Sequence, residues 1–380
     1  MKKTLLMLAL LLPALCTAAG PDTVARADRS LWPEPIDSPA AFDRASRAEI
    51  LLFAAALADE SAPDDVTLKT RLHIRHIDRA SINRVRDRLD GELLKNWKAA
   101  STGCKAGEDF CPVANTIDQL VAAGHAVQGR MPDKYLPWFG NAQVFHRNYA
   151  NELLRLAALF PTVSSEIDTY SPLERTGFEL PDRRFQLSFD DGPTDKAGNT
   201  DLLLPLLAKN GLHASFYLLG ERLQARLTQD NAATLHAAYA GQCTSLHGWQ
   251  HLSHASWEHW QDSVLRTRDL VNATFAEEYQ PWFRPPYGQR RSDSGDFFAA
   301  NGLGVALWNI DSQDWNAHVS GEEAAQRVMS LMLLWRHGVI LFHDIHPKAQ
   351  YAVPWLLAHT SNSGVLWQDC RSYATAGQGS

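Results

Sequence analysis

Cysteine is scarce in this sequence, 5 among 380 residues, and no two cysteines stand in a CxxC spacing. That speaks against a thiolate metal centre or a zinc ribbon. An excess of basic residues is also missing. Lys and Arg number 36 against 43 Asp and Glu, a formal net charge of −7, so a surface that tracks nucleic-acid phosphates is not expected. Low-complexity tracts and repeats of solenoid length are absent too. What is present is a 45% hydrophobic chain, long enough for one large domain and a smaller one.

The N-terminus, MKKTLLMLALLLPALCTAAG, joins two lysines, an apolar core from Leu5 to about Leu15, and the small residues Thr17, Ala18 and Ala19. This is the pattern of a secretory signal peptide over residues 1–19, its core too short for a comfortable membrane span. Cys16 suggests a lipoprotein anchor, but bulky Leu15 stands before it where a small residue is expected. The expected destination is periplasmic or secreted, with no integral membrane span once the signal is removed. Export then governs how the other cysteines are read. Cys104 and Cys111 in CKAGEDFC are expected to close a local disulfide. Cys243 and Cys370 are left either to pair or to remain as two buried thiols.

Residues 20–180 read as a smaller, mostly α-helical domain. AFDRASRAEILLFAAALADE, SINRVRDRLDGELLKNWKAA, TIDQLVAAGHAV and AQVFHRNYANELLRLAALF each repeat apolar residues at three- and four-residue spacing. From residue 181 to 380 the period changes. FQLSF alternates, and ASFYLL, CTSL, WFR, GVALWNI, GVILFH and GVLWQ follow as short apolar runs separated by helical stretches. That alternation predicts an α/β fold with about seven parallel strands, a distorted (β/α) barrel rather than an open sheet. Polar residues gather at the C-terminal ends of these runs: Asp190 and Asp191, His247 and His251, Arg284, Asp311 and Asp314, and His343. In parallel α/β architectures those ends share one face, where chemistry is done.

Two of these clusters carry chemistry by residue type. HGWQH sets His247 and His251 four residues apart, a spacing that grips one ion from one side; by itself it is a weak signal among 15 histidines. LSFDDGP places adjacent carboxylates where a strand ends, a costly juxtaposition unless a cation or an arginine neutralises one of them. The pair reads as a solvated turn, a cation site, or a base beside a metal ligand.

LSFDDGP, HGWQH, FRPPYG, DSQDW and LFHDIH, in this order and at helix-sized gaps, resemble the five motifs of the polysaccharide deacetylases, the family 4 carbohydrate esterases with a NodB-like domain. The resemblance runs from about Phe185 to Trp367, roughly half the chain. It implies that 181–380 is a catalytic domain in which Asp191, His247 and His251 hold a divalent cation, usually Zn2+ and otherwise one such as Co2+. It implies Asp190 as the general base, oriented by Arg284, and a share of the oxyanion for the backbone N–H of Tyr287. His343 would be the general acid, held in its working tautomer by Asp314. Tyr287, Trp315 and Leu341 would contact substrate, the last two walling an acetyl pocket. Gly248 departs from the family, which usually carries Ser or Thr after the first metal histidine, so a loop-bracing hydroxyl is missing. Ser188 replaces a commoner Thr.

The implied activity is removal of N-acetyl groups from an N-acetylglucosamine-containing glycan, peptidoglycan first. Chitin oligosaccharides, an exopolysaccharide and O-acetylated xylan are competitors, and a glycan-binding pseudoenzyme is the alternative from another class. The helical domain resembles no family and is expected to dock substrate or a protein partner.

Overall fold

The computed structural model describes residues 21, 23–105, 107–162 and 168–372. The expected signal peptide, with Cys16, lies outside the described residues. No described helix is long and apolar enough to cross a membrane.

The N-terminal part is built from α1 (Pro39–Ser61), α2 (Asp65–Arg71), α3 (Arg79–Ala100), α4 (Ile117–Gln128) and α5 (Leu136–Leu159). Helix α1 begins where Ser38 Oγ accepts the Ala41 N–H at 3.2 Å and Pro39 fills the first turn. It is buried on nearly every side, Phe42, Ile50, Leu51 and Phe53 being sealed from solvent, so the other helices pack around it. Helix α2 escaped the periodicity argument because Leu68 is its one buried residue; the Asp64 carboxylate starts it by accepting the N–H groups of Val66 and Thr67, both at 2.9 Å.

The strands are β1 (Glu174–Arg175), β2 (Arg184–Asp190), β3 (Ser215–Leu218), β4 (Cys243–Leu246), β5 (Tyr279–Phe283), β6 (Gly304–Ala306), β7 (Ile310–Asp311), β8 (Gly338–His343) and β9 (Leu366–Trp367). Between them run α6 (Asn199–Lys209), α7 (Gly220–Arg226), α8 (Ala232–Tyr239), α9 (Trp260–Thr274), α10 (Gly295–Ala300), α11 (Gly321–Trp335) and α12 (Lys348–Thr360). Pairing is parallel throughout, in the order β1-β6-β5-β4-β3-β2-β8-β7, with β9 beside the first residues of β2.

Strand β7 closes that order and β6 stands next to β1 at its other end, yet only Leu307, Trp308 and Asn309 separate β6 from β7 in the chain. Three residues reach about 10 Å, so the sheet curls until its ends approach and forms an incomplete barrel. The single run GVALWNI thus contains two strands, and β1 is a further short one, which takes the expected seven to nine. Alternation within each strand sorts the faces. Phe189 stacks on Phe216 at 5.0 Å and on Phe342 at 6.0 Å on the helix-covered outside. Register pairs Ser188 with Leu341, and Asp190 with both Tyr217 and His343, on the inside.

Helix α11 joins the two parts. Its start is a capping box, Ser320 Oγ accepting the Glu323 N–H at 3.1 Å while the Glu323 carboxylate accepts the Ser320 N–H at 2.8 Å. Every residue from Ala324 to Trp335 is buried, against α1 and α3 on one side and β7 and β8 on the other. One apolar core runs without a break from Phe42 and Leu93 through Leu331 to Phe342. Buried polar links cross the same seam: Arg327 pairs with Glu152 at 2.6 Å, Arg336 with Asp43 at 2.8 Å, and Asn96 Nδ2 donates to the Trp335 carbonyl at 3.0 Å. Both disulfides are formed: Cys104–Cys111 closes the loop after α3, and Cys243–Cys370 ties the start of β4 to the end of the described chain.

Candidate active site

Strand β2 ends with Asp190 facing inward. A regular strand would send Asp191 to the outside, but its φ of 79° breaks the extended run at once and swings its carboxylate into the same cavity. The following turn is held from several directions. Gly192 O accepts the Leu219 N–H at 3.0 Å, and Thr200 Oγ1 both accepts the Thr194 N–H at 2.9 Å and donates to Asp344 Oδ2 at 2.7 Å. A Cβ on Gly192 would lie 2.1 Å from Asp344 Oδ2, so any side chain there would have to displace the Asp344 carboxylate from this brace.

Beyond β4, His247 and His251 meet Asp191. Their Nε2 atoms lie 3.3 Å and 3.4 Å from Asp191 Oδ1, and one ligand atom from each of the three residues falls within 4.8 Å of the others. His247 Nδ1–H donates to the Arg284 carbonyl at 2.7 Å, which leaves the Nε2 lone pair turned toward Asp191. Burial pushes the His251 pKa down to about 4, against the pull of Asp191, so that ring too offers a lone pair at neutral pH. Asp191 Oδ1 is buried and accepts no hydrogen bond. An orphaned carboxylate oxygen between two imidazole nitrogens fits a divalent cation of the zinc type.

Arg284, at the exit of β5 and fully buried, faces Asp190. Its Nη1 donates to Asp190 Oδ1 and to Ser188 Oγ, each at 2.8 Å, while Nε and Nη2 donate to the carbonyls of Ala306 and Leu307, each at 3.1 Å. Those carbonyls lie where β6 gives way to the link to β7, so the guanidinium supplies hydrogen bonds a complete barrel would have taken from a neighbouring strand. Its plane also lies over the Tyr217 ring at 3.9 Å. Five donors in a rigid fork suit this duty; a lysine could not perform it.

His343 ends β8. Its Nδ1 is 2.7 Å from Asp314 Oδ1, and its backbone N–H donates to Asp314 Oδ2 at 2.8 Å, so one carboxylate holds ring and backbone together. Burial disfavours the imidazolium, but the charge and hydrogen bond of Asp314, helped by Asp191 and Asp190, outweigh it and raise the pKa to about 10. Tyr287, with φ 60°, sets its ring edge-on to His251 at 4.4 Å and is 53% exposed. Trp315 is 36% exposed, so both aromatics stand at the rim, whereas Leu341 is buried one layer below His343 with Leu180, Trp308 and Val339.

The structure therefore brings Asp190, Asp191, His247, His251, Arg284, His343 and Asp314 to one end of the barrel. Asp311, which also ends a strand, accepts instead from Gln313 N and Nε2 at 2.7 and 2.9 Å. Sequence reasoning missed Ser188 as a partner of Arg284, Tyr217 beneath it, and the Thr200–Asp344 brace. The inward alternation of β2 and β3 was the available signal for the first two.

Residues 179–306 match the family described as polysaccharide deacetylase. The chain is 32% identical over 165 residues to a bifunctional xylanase/xylan deacetylase of Cellvibrio japonicus, covering 42% of this chain and 22% of that protein. It is 28% identical over 181 residues to peptidoglycan-N-acetylmuramic acid deacetylase PdaC of Bacillus subtilis, covering 47% of this chain and 36% of that one. Among solved structures, a family 4 carbohydrate esterase from Streptomyces lividans in complex with acetate shares 27% identity at a TM-score of 0.40, covering 48% of this chain and 88% of that one. The chain thus spans well under half the length of those two curated relatives. The match to the polysaccharide deacetylase family ends at residue 306, and DSQDW and LFHDIH lie beyond it in the chain.

Proposed function

We propose that the barrel hydrolyses N-acetyl groups from an N-acetylglucosamine-containing polysaccharide, most directly peptidoglycan, in the periplasm or outside the cell. The observation that carries this reading is the orphaned Asp191 oxygen set between His247 and His251, beside an arginine-held Asp190. Asp191, His247 and His251 would hold zinc or another divalent cation, which when bound polarises the acetyl carbonyl and acidifies water.

The remaining steps belong to the protein's own groups. Asp190, held at its Oδ1 by Arg284, keeps its other oxygen for the proton of the attacking water. The Tyr287 ring meets His251 edge-on at 4.4 Å, and its backbone N–H would share the charge gained by the carbonyl oxygen. His343, protonated at neutral pH, delivers its Nε2 proton to the sugar nitrogen as the C–N bond breaks, giving acetate and a free amine. An amide nitrogen leaves only once protonated, so a poised imidazolium suits N-deacetylation. Exposed Tyr287 and Trp315 are placed to contact sugar at the rim, with Leu341 lining the wall below. The helical part, 20–180, packs against α11 and supports the barrel; a docking role for it is part of the same proposal.

The test is acetate release from peptidoglycan, penta-N-acetylchitopentaose and acetylated xylan by the purified protein, with chelator and with zinc restored. Zinc-dependent release of acetate from the first two supports the reading. Release from xylan alone points to an O-deacetylase, and no release from any, with zinc bound, points to a glycan-binding protein.

A further inference from the structure

Gly248 follows the first of the two candidate metal histidines. The structure gives two reasons for glycine. Its φ is 87°, and a Cβ would lie 2.6 Å from Cε1 and 2.7 Å from Nε2 of His254. The space a side chain would use is filled by that imidazole.

His254 is fully buried and belongs to a chain of hydrogen bonds with one consistent direction. Its Nδ1–H donates to the Leu252 carbonyl at 2.8 Å, which leaves Nε2 as an acceptor, 3.0 Å from Ser263 Oγ. The Ser263 hydroxyl donates there and accepts the Trp249 N–H at 2.7 Å. Ser263 lies in the first turn of α9 and is itself buried. The relay ties positions 249, 252 and 254, on both sides of His251, to a rigid helix. The loop's other face is held by α7, where the Gly220 and Glu221 N–H groups donate to the carbonyls of Gly248 and Trp249, each at 3.0 Å.

We propose that Ser263 and His254 are positioning residues for the cation site: through the 249–254 loop they set His251 against His247 and Asp191. Neither touches the site. This rests on the reading of Asp191, His247 and His251 as the cation ligands. Partners that orient ligands typically change metal affinity by about 10- to 100-fold when removed.

The experiment measures zinc affinity of the full chain by competition with a chromophoric chelator, alongside the thermal midpoint of the metal-free protein. Ser263→Ala and His254→Phe, which keeps the ring volume, are each expected to weaken zinc binding by about 10- to 100-fold. The double variant is expected to lose no more than the worse single one, because the relay acts as a unit. Ser263→Thr, which keeps the hydroxyl, is expected to bind as wild type does. If His254→Phe does not fold, the Ser263 pair decides alone. A lowered midpoint with unchanged zinc affinity in Ser263→Ala overturns the proposal and leaves the pair as ordinary core. Wild type that binds no zinc instead overturns the assignment of the cation site.

Discussion

Asp190 and Arg284 meet inside the incomplete barrel at 2.8 Å, and the same guanidinium satisfies the carbonyls of Ala306 and Leu307 where β6 and β7 part. The gap in the barrel and the orientation of the proposed base are therefore one structural fact.

Arg284→Met should damage both. Asp190 would be left buried without its partner, a loss of about 3–5 kcal/mol for breaking a buried pair. Chemical denaturation should show that drop, and acetate release by the folded fraction should fall by at least about 100-fold. Arg284→Lys should not rescue it, since the three donors of one compact ammonium cannot reach the four separated acceptors that the guanidinium fork serves.

His343 provides the pH prediction. Its folded pKa, about 10, lies above the usual imidazole value, so the protonated ring stabilises the fold. That contribution is complete below about pH 6.5 and is lost progressively as pH rises toward about 10. In metal-free protein, the His343 Cε1–H resonance should titrate near 10, and in Asp314→Asn it should titrate far lower, burial then acting without its counter-charge. A wild-type midpoint at an ordinary imidazole value would contradict the role given to Asp314.

Much of this was legible in the chain. The four long helices of the N-terminal part follow from apolar spacing, and the strand ends at Asp190, His247, Arg284 and His343 follow from short apolar runs closed by polar residues. Other features depend on neighbours distant in sequence. Glu174–Arg175 becomes a strand because β6 offers an edge, and no alternation can show in two residues. GVALWNI hides a break between strands since its hydropathy is continuous across Leu307 and Trp308. The bond between Cys243 and Cys370 could not be chosen over two free thiols, because the pairing spans 127 residues of intervening fold. Asp311 shares the strand-end position of the site residues, yet its carboxylate is taken up by Gln313, a matter of local turn geometry that spacing does not reveal.

The seam along α11 supplies a stability prediction. Glu152→Gln leaves Arg327 without its countercharge in a buried place and should cost about 3–5 kcal/mol, seen as a lower denaturation midpoint. Removing residues 20–162, which keeps β1, would expose the apolar face of α11, so the isolated barrel is expected to be insoluble. A soluble, active barrel would show that the helical part serves docking alone.

The disulfide between Cys243 and Cys370 closes a loop with a sequence separation of 127. Replacing both with Ser should lower stability by about 2–5 kcal/mol. Because β4 leads directly to His247, zinc affinity measured in the same variant is expected to fall as well.

In the proposed mechanism Asp190 and Asp191, adjacent in sequence, perform different tasks. The most direct measurement compares zinc binding and acetate release in Asp190→Asn and Asp191→Asn. Asp190→Asn is expected to bind zinc near wild-type strength and release no acetate, while Asp191→Asn is expected to lose zinc binding and activity together. Equal loss of zinc by both variants, or activity surviving in Asp190→Asn, would contradict that mechanism.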